Sequence, residues 1–262
     1  MSYTAVYIYF RLFASLANDS INHFIETDLT EHNVGFNHCP KYQGHKSPNS
    51  YIILNGNTGS RTILHTNLGL PELKIEDFKN SFNNIINEFG WIHFEGRPNL
   101  DQILIMIMEI LKYHPNRPKI SFEMEKLGRN YDYILPFVDV MFISKEYAQS
   151  LGFENKLQTV SEFHLKKHIN VHEGKLIICA WGDQGAAGRD ENGQIFEFPA
   201  FQPKNGVIDT IGAGDTFNAS VIASLNLNQN LKKALENGCR VAGTKVGQFG
   251  FKNLKNVFYN KL

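Results

Sequence analysis

Apolar positions along the chain change period several times. Residues 10–16 are apolar enough for a short strand. Residues 19–29 place Ile21, Phe24, Ile25 and Leu29 at helical spacing, with Asn18 or Asp19 as cap. Residues 33–49 are polar and rich in His, Gly and Pro, so they read as loop. Residues 51–54 and 61–65 flank Asn55-Gly56-Asn57-Thr58-Gly59-Ser60, which predicts a hairpin. From there the pattern alternates. Helical spacing over 75–89 is followed by a strand over 91–94 and an apolar helix over 100–113. Strands over 119–124 and 138–143 lead to a short helix over 145–151. Thr159-Val160-Ser161-Glu162 fits a capping box opening a helix that runs to His168. Residues 176–181 form an unbroken apolar run, as in a strand covered on both faces. Asp190-Glu191-Asn192-Gly193 is a hairpin turn before a strand over 195–198. Helices over 216–225 and 231–242 close the pattern, the first with Phe217, Val221 and Leu225 on one face.

Strands alternating with helices predict an α/β fold with a mainly parallel sheet covered by helices. No Pro/Ser-rich linker and no repeat divides it, so residues 1–262 read as one domain. In such sheets a ligand lies beyond the carboxyl ends of the strands. The segment Val207-Ile208-Asp209-Thr210-Ile211-Gly212-Ala213-Gly214-Asp215 stands at such an end and runs straight into a helix. A helix start offers unpaired N–H groups and partial positive charge to an anion, and small residues let the backbone come close. A carboxylate there would repel the anion. Asp215 makes sense if it takes a proton from a hydroxyl attacking a bound phosphate, although an Asp-capped helix after a glycine turn is a simpler account.

Composition narrows this further. The 262 residues are 42% hydrophobic and 20% charged, with zero net charge, so a sizeable core is expected and no electrostatic footprint for nucleic acid or an acidic membrane. Cys39, Cys179 and Cys239 are far apart and in no metal-like pair, which fits a reducing, cytoplasmic setting. The apolar start is too short to span a bilayer and is interrupted by Arg11. There is no Gly-x-x-x-x-Gly-Lys-[Ser/Thr], and Phe217 occupies the third glycine position of a dinucleotide fingerprint. His164 and His168 lie among lysines without the glutamate of a metalloprotease helix. His32, His38, Cys39 and His45 follow no zinc spacing, so no metal site is assigned to side chains. Phosphoryl transfer remains, with Arg61, Arg97, Lys126, Arg129, Lys145 and Lys245 as candidate cations. Most of these are expected to be plain surface charges. Arg61, following a flexible turn, is the best placed of them. Gly182-Asp183-Gln184-Gly185 follows a buried strand and is either a ligand-approaching turn or a plain one.

Asp209-Thr210-Ile211-Gly212-Ala213-Gly214-Asp215-Thr216-Phe217 resembles the C-terminal signature of the ribokinase-like (PfkB) carbohydrate kinases. Trp91-Ile92-His93-Phe94-Glu95-Gly96-Arg97, Cys179-Ala180-Trp181-Gly182 and Gly238-Cys239-Arg240-Val241-Ala242-Gly243 resemble the ketohexokinase branch of that family. The resemblance covers about residues 10–253. It implies a ribokinase-like, Rossmann-type sandwich with a small β-lid, and phosphoryl transfer from ATP with Mg2+ to fructose or a related ketose, with K+ as a further possible ion. It implies an anion hole from Gly212, Ala213 and Gly214, with Asp215 as catalytic base. ATP would meet Arg61, Gly182, Asp183, Gln184, Gly185, Phe201, Pro203 and Cys239. It also implies a homodimer through clasped lids. Two departures stand out. The family's Asn-x-x-Glu motif reads Ser144-Lys145-Glu146-Tyr147 here, a departure that ketohexokinases share. The family's N-terminal strand with a sugar-binding aspartate, and its Gly-Gly-Asn stretch, have no counterpart in this sequence. The expectation is therefore a reduced or incomplete lid and an exposed sheet edge. Three readings stay open: an active sugar kinase, a nucleotide-binding relative that works by pairing with another subunit, and an active enzyme of which this sequence is a part. If Met1 is the true start, ATP binding with little fructose phosphorylation is expected.

Overall fold

The computed structural model describes residues 9–54, 61–82, 85–166, 175–204 and 206–259. By internal contacts the chain forms two compact units, Met1–Asn84 and Ile85–Leu262.

In the first unit, β1 (Phe10–Arg11) and β2 (Leu16–Ala17) precede helix α1 (Ser20–Glu31), followed by β3 (Val34–Gly35) and β4 (Lys41–Tyr42). β1 pairs parallel with β3, and β2 with β4. Two expectations are corrected here. The single strand over 10–16 is broken because the Cys39 thiol intervenes: it donates to the Leu12 carbonyl at 3.2 Å and accepts from Ala14 N–H at 3.4 Å. The supposed loop over 33–49 supplies both partner strands, tertiary pairing overriding its polar composition. Asp19 caps α1, accepting from Asn22 N–H at 2.9 Å, and its other oxygen accepts from Ser47 N–H at 2.7 Å. These bonds, the one from Ser47 first, hold its carboxyl below the usual range. β5 (Asn49–Leu54) and β6 (Arg61–Thr66) form the expected antiparallel hairpin, whose turn at 55–60 lies outside the described residues. Tyr51, Ile53 and Leu64 are exposed on it. Helix α2 (Ile75–Phe82) buries Ile75, Phe78 and Phe82, and Phe13 meets Phe82 edge-on at 4.7 Å. It is shorter than expected: a separate 3-10 turn follows at Ile86–Glu88.

The second unit is the α/β body. Strands β7 (Trp91–Glu95), β8 (Lys119–Met124), β9 (Val140–Ile143) and β10 (Leu176–Ala180) are parallel. β11 (Ala186–Arg189) and β12 (Ile195–Phe198) continue the sheet antiparallel, in the spatial order 7-8-9-10-11-12. Helix α3 (Leu100–Leu111) follows β7. Helices α4 (Lys145–Ser150) and α5 (Lys156–Lys166) follow β9, and α6 (Ala213–Asn226), α7 (Leu231–Val246) and α8 (Leu254–Tyr259) complete the chain. The apolar stripe Phe217, Val221, Leu225 of α6 packs with Ala234 and Leu235 of α7 onto Val140, Phe142, Leu176 and Ile178. The two helices cross closely, because a Cβ at Gly238 would lie 2.7 Å from Val221 Cγ2 and 2.8 Å from the Phe217 ring. Their polar seam is satisfied as well: the buried Asn237 amide donates to Ser224 Oγ at 3.0 Å and to Gln229 Oε1 at 2.9 Å.

The capping-box expectation is corrected. α5 begins three residues before Thr159, with Asn155 Oδ1 accepting from Gln158 N–H at 2.8 Å. Thr159 turns its hydroxyl back to the Asn155 carbonyl at 2.8 Å, inside the helix. His168 lies outside the described residues. Helix α8 and strand β11 had no periodic signal of their own. Among the described residues no helix is long and apolar enough to cross a membrane.

Candidate active site

The parallel strands β7 to β10 all deliver their carboxyl ends toward the same edge of the sheet, and the chemistry-bearing residues collect there. The glycine turn is built from below. Ile208 and Asp209 N–H groups both donate to the Val246 carbonyl, at 2.8 and 3.1 Å. Asp209 is buried. Its Oδ1 accepts from Ile211 N–H at 2.9 Å, and its Oδ2 accepts from Lys245 Nζ at 2.5 Å and Gly250 N–H at 3.3 Å. Burial alone would raise the Asp209 carboxyl, but Lys245 and the two backbone donors outweigh it and hold it below its usual value. Gly212 is the N-cap of α6 and sits at φ 68°, the left-handed region that favours glycine.

Ala213 N–H turns back to the Thr210 carbonyl at 3.3 Å and Thr216 N–H to the Gly212 carbonyl at 2.9 Å. Among the described residues the N–H groups of Gly214 and Asp215 have no chain acceptor, as expected for a first helical turn. Gly214 faces open space. Asp215 is exposed. Its carboxyl is nonetheless raised, first by partial burial, then by the charges of Glu125 and Glu95, with Lys126 opposing. One turn on, Asn218 donates to Glu123 Oε1 at 2.7 Å. Glu123, at the end of β8, is pushed up to about 7 by burial, a shift to which Asp215, Glu125 and Glu95 add and which the Asn218 bond opposes.

The candidate cations sort themselves. Arg97 pairs with Glu95 at 3.1 Å, Lys126 with Glu125, and Arg129 donates to the Gly96 carbonyl. Lys145 opens α4. Lys245 is neither a surface charge nor free to meet a phosphate, being fully buried on Asp209. Arg61 opens β6, but its side chain lies outside what the structure describes.

A second cluster follows β10. Gly182–Gln184 form an exposed 3-10 turn, closed by a bond from Trp181 N–H to the Gly185 carbonyl at 2.7 Å. Gly185, at φ 87°, lies so close to the next strand that a Cβ would sit 2.1 Å from the Phe198 carbonyl. Beyond β12 the chain crosses α7. A Cβ at Gly243 would lie 2.3 Å from the Phe201 carbonyl, and one at Gly247 would lie 2.4 Å from Pro203 Cβ. Cys239 and Gly243 are spaced by four and share one face of α7, and Gly247, its C-cap, follows at the same interval. The Cys239 thiol is raised to about 11 by burial, which keeps it protonated. Thus Gly182 to Gly185 meet the strand that leads into Phe201 and Pro203, and these cross the Cys239 face of α7. Glu123, Glu125, Asn218 and Gly247 escaped the sequence reading, and Glu95 and Gly243 entered it only inside the motifs of the resemblance, with no role at the site. The four-residue spacing of Gly243 and Gly247 with Cys239 was the available signal for the two glycines; the carboxylates gave none.

A family model for pfkB family carbohydrate kinases matches residues 10–256. The chain belongs to the pfkB family. Mouse ketohexokinase (Mus musculus) is 34% identical over 242 residues, spanning 90% of this chain and 78% of that enzyme. The ATP-dependent 6-phosphofructokinase of Thermoanaerobacterium thermosaccharolyticum is 25% identical over 250 residues, spanning 90% of this chain and 73% of that enzyme. In fold, ribokinase from Giardia lamblia matches with a TM-score of 0.78 at 14% identity, over 96% of this chain and 83% of that one. Fructokinase from Vibrio cholerae O395, solved with fructose, ADP and calcium ion bound, matches with a TM-score of 0.72 at 18% identity, over 95% and 84%. The fold is therefore ribokinase-like, and the protein is a carbohydrate kinase of the pfkB family and a homologue of ketohexokinase.

Proposed function

We propose that this kinase transfers the γ-phosphoryl group of ATP to fructose to give fructose 1-phosphate, with Asp215 as base. The observation that carries the reading is Asp215 itself: an exposed carboxylate of raised basicity in the first turn of α6, beside the free N–H groups of Gly214 and Asp215. Gly212, Ala213 and Gly214 form the anion hole for the transferring phosphate. Asp215 takes the proton of the sugar C1 hydroxyl as its oxygen bonds to the γ-phosphorus. The bond between that phosphorus and the bridging oxygen breaks, and ADP leaves with the electron pair. Gly182, Asp183, Gln184, Gly185, Phe201, Pro203 and Cys239 hold adenine and ribose, and Arg61 meets the phosphates.

Among the described residues no group of three or more acidic, histidine or cysteine side chains is placed to cage a metal. Mg2+ enters as part of the donor, carried on the ATP phosphates. Potassium is given no step: the Asp209 carboxylate beneath the turn is already met by Lys245, Ile211 and Gly250. We read residues 1–262 as one kinase domain acting in the cytoplasm, with the β5–β6 hairpin as a reduced lid. Its exposed Tyr51, Ile53 and Leu64 support a homodimer formed through this hairpin.

The test is fructose-dependent ADP release by the purified 262-residue chain, with the product identified as the 1-phosphate or an isomer. ADP binding without fructose-dependent release would favour the alternative, a nucleotide-binding relative that acts by pairing with another subunit.

A further inference from the structure

Lys156 breaks a local rule. It is the first residue of α5, at the positive end of the helix dipole, where a cation is disfavoured. It is also 7% exposed, and a buried ammonium is costly unless it is paired and hydrogen-bonded. The structure satisfies it with two partners from two other segments. Nζ donates to the main-chain carbonyl of Gln184, the last residue of the turn Gly182–Gln184. It also pairs with Glu197 Oε1 of β12 at 3.0 Å. The Lys156 charge reaches the Cys239 thiol on α7 as well, where it opposes the effect of burial.

One ammonium therefore joins the start of α5, the turn after β10 and the strand that leads into Phe201 and Pro203. Gly185 abuts Phe198 and Pro199 at the far end of the turn, and Lys156 adds a polar tie to the residue before it. Gln184 and Glu197 are both exposed residues on separate segments. Lys156 ties the turn and the strand exit together.

We propose that Lys156 is a positioning residue that holds the Gly182–Gly185 turn in its nucleotide-binding shape and so sets affinity for the adenosine part of the donor. The proposal rests on the reading above that this turn lines the nucleotide pocket. Lys156 does not touch the transferring phosphate, so its loss acts on nucleotide affinity and KM rather than on kcat.

The experiment uses the full chain, with ADP as probe in calorimetry and hydrogen exchange on the unliganded protein. Lys156→Met is expected to stay folded, to weaken ADP about tenfold, and to keep kcat within about twofold where turnover is measured. It is also expected to speed amide exchange at residues 182–185 over the rest of the sheet. Glu197→Gln, which leaves the bond to Gln184, is expected to weaken ADP only about twofold, and Lys156→Arg to stay within about threefold of the parent. A folded Lys156→Met chain with unchanged ADP affinity and unchanged exchange overturns the pin. Faster exchange with unchanged affinity shows that the turn does not serve the nucleotide, and overturns the pocket reading with it. Weaker binding without faster exchange also overturns the proposal. If Lys156→Met fails to fold, Glu197→Gln decides: an ADP affinity and an amide exchange at residues 182–185 equal to the parent's contradict it.

Discussion

Lys245 Nζ lies 2.5 Å from Asp209 Oδ2 and 3.0 Å from the Asp209 carbonyl, fully buried beneath the glycine turn. The Phe251 ring covers the same ammonium at 5.1 Å. The pair ties the end of α7 to the residues that open α6, so the anion turn inherits the rigidity of two packed helices. A buried pair of this kind fixes register more than it adds net stability, yet breaking it strands a charge.

Lys245→Met should therefore cost about 3–5 kcal/mol in urea unfolding, because Asp209 is left buried without its cation. An acid limb should accompany it in the parent. The folded Asp209 carboxyl is held below the ordinary aspartate value of 3.8. Its contribution is complete above that value and is lost as pH falls through the lower, folded one. Asp209→Asn should flatten this limb; an unchanged limb would assign it to other carboxylates.

Glu123 runs the other way. Its carboxyl is raised from 4.5 to about 7 in the folded chain. Between these values the folded state binds the proton that the unfolded state has released. Stability should thus fall as pH rises from about 5 to 7. Glu123→Gln keeps an acceptor for Asn218 and removes the charge. It should stabilise the chain by about 1–2 kcal/mol at pH 8 and hardly at pH 4, as read from denaturation midpoints.

The carboxylates around Asp215 tune the proposed base. Glu125 and Glu95 both raise it. Glu125→Gln and Glu95→Gln should each move the acidic limb of kcat/KM to lower pH, because removing a negative neighbour makes Asp215 easier to ionise. A limb that stays fixed in both variants would separate these side chains from the base.

The small residues of α7 make a steric prediction. Gly243→Ala would put a Cβ 2.3 Å from the Phe201 carbonyl, so the segment from Phe201 to Pro203 must shift. ADP affinity should drop about tenfold, with a stability loss of about 1–3 kcal/mol from overpacking. Calorimetry and thermal unfolding of the same variant check both.

Periodicity carried most of the α/β body: β8 occupies the residues its apolar run predicted, and the Phe217, Val221, Leu225 stripe of α6 is the face that meets the sheet. It failed where partners far along the chain decide the backbone. The break between β1 and β2 depends on the Cys39 thiol, and α5 starts at Lys156 because Asn155, not Thr159, caps it. The glycine turn and Asp215 were legible because a helix start is written in local sequence. The carboxylates of β7 and β8, the Lys245–Asp209 pair and the Lys156 bridge were not, because each joins segments that only the folded sheet brings together.

Asp215 is the residue on which the proposed chemistry turns. Asp215→Asn keeps the size of the side chain and the free N–H groups of the turn, but removes the proton acceptor. Measured beside the parent, fructose-dependent ADP release should fall at least about a thousandfold while ADP still binds within about threefold. Release at the parental rate by the Asn variant would contradict Asp215 as the base.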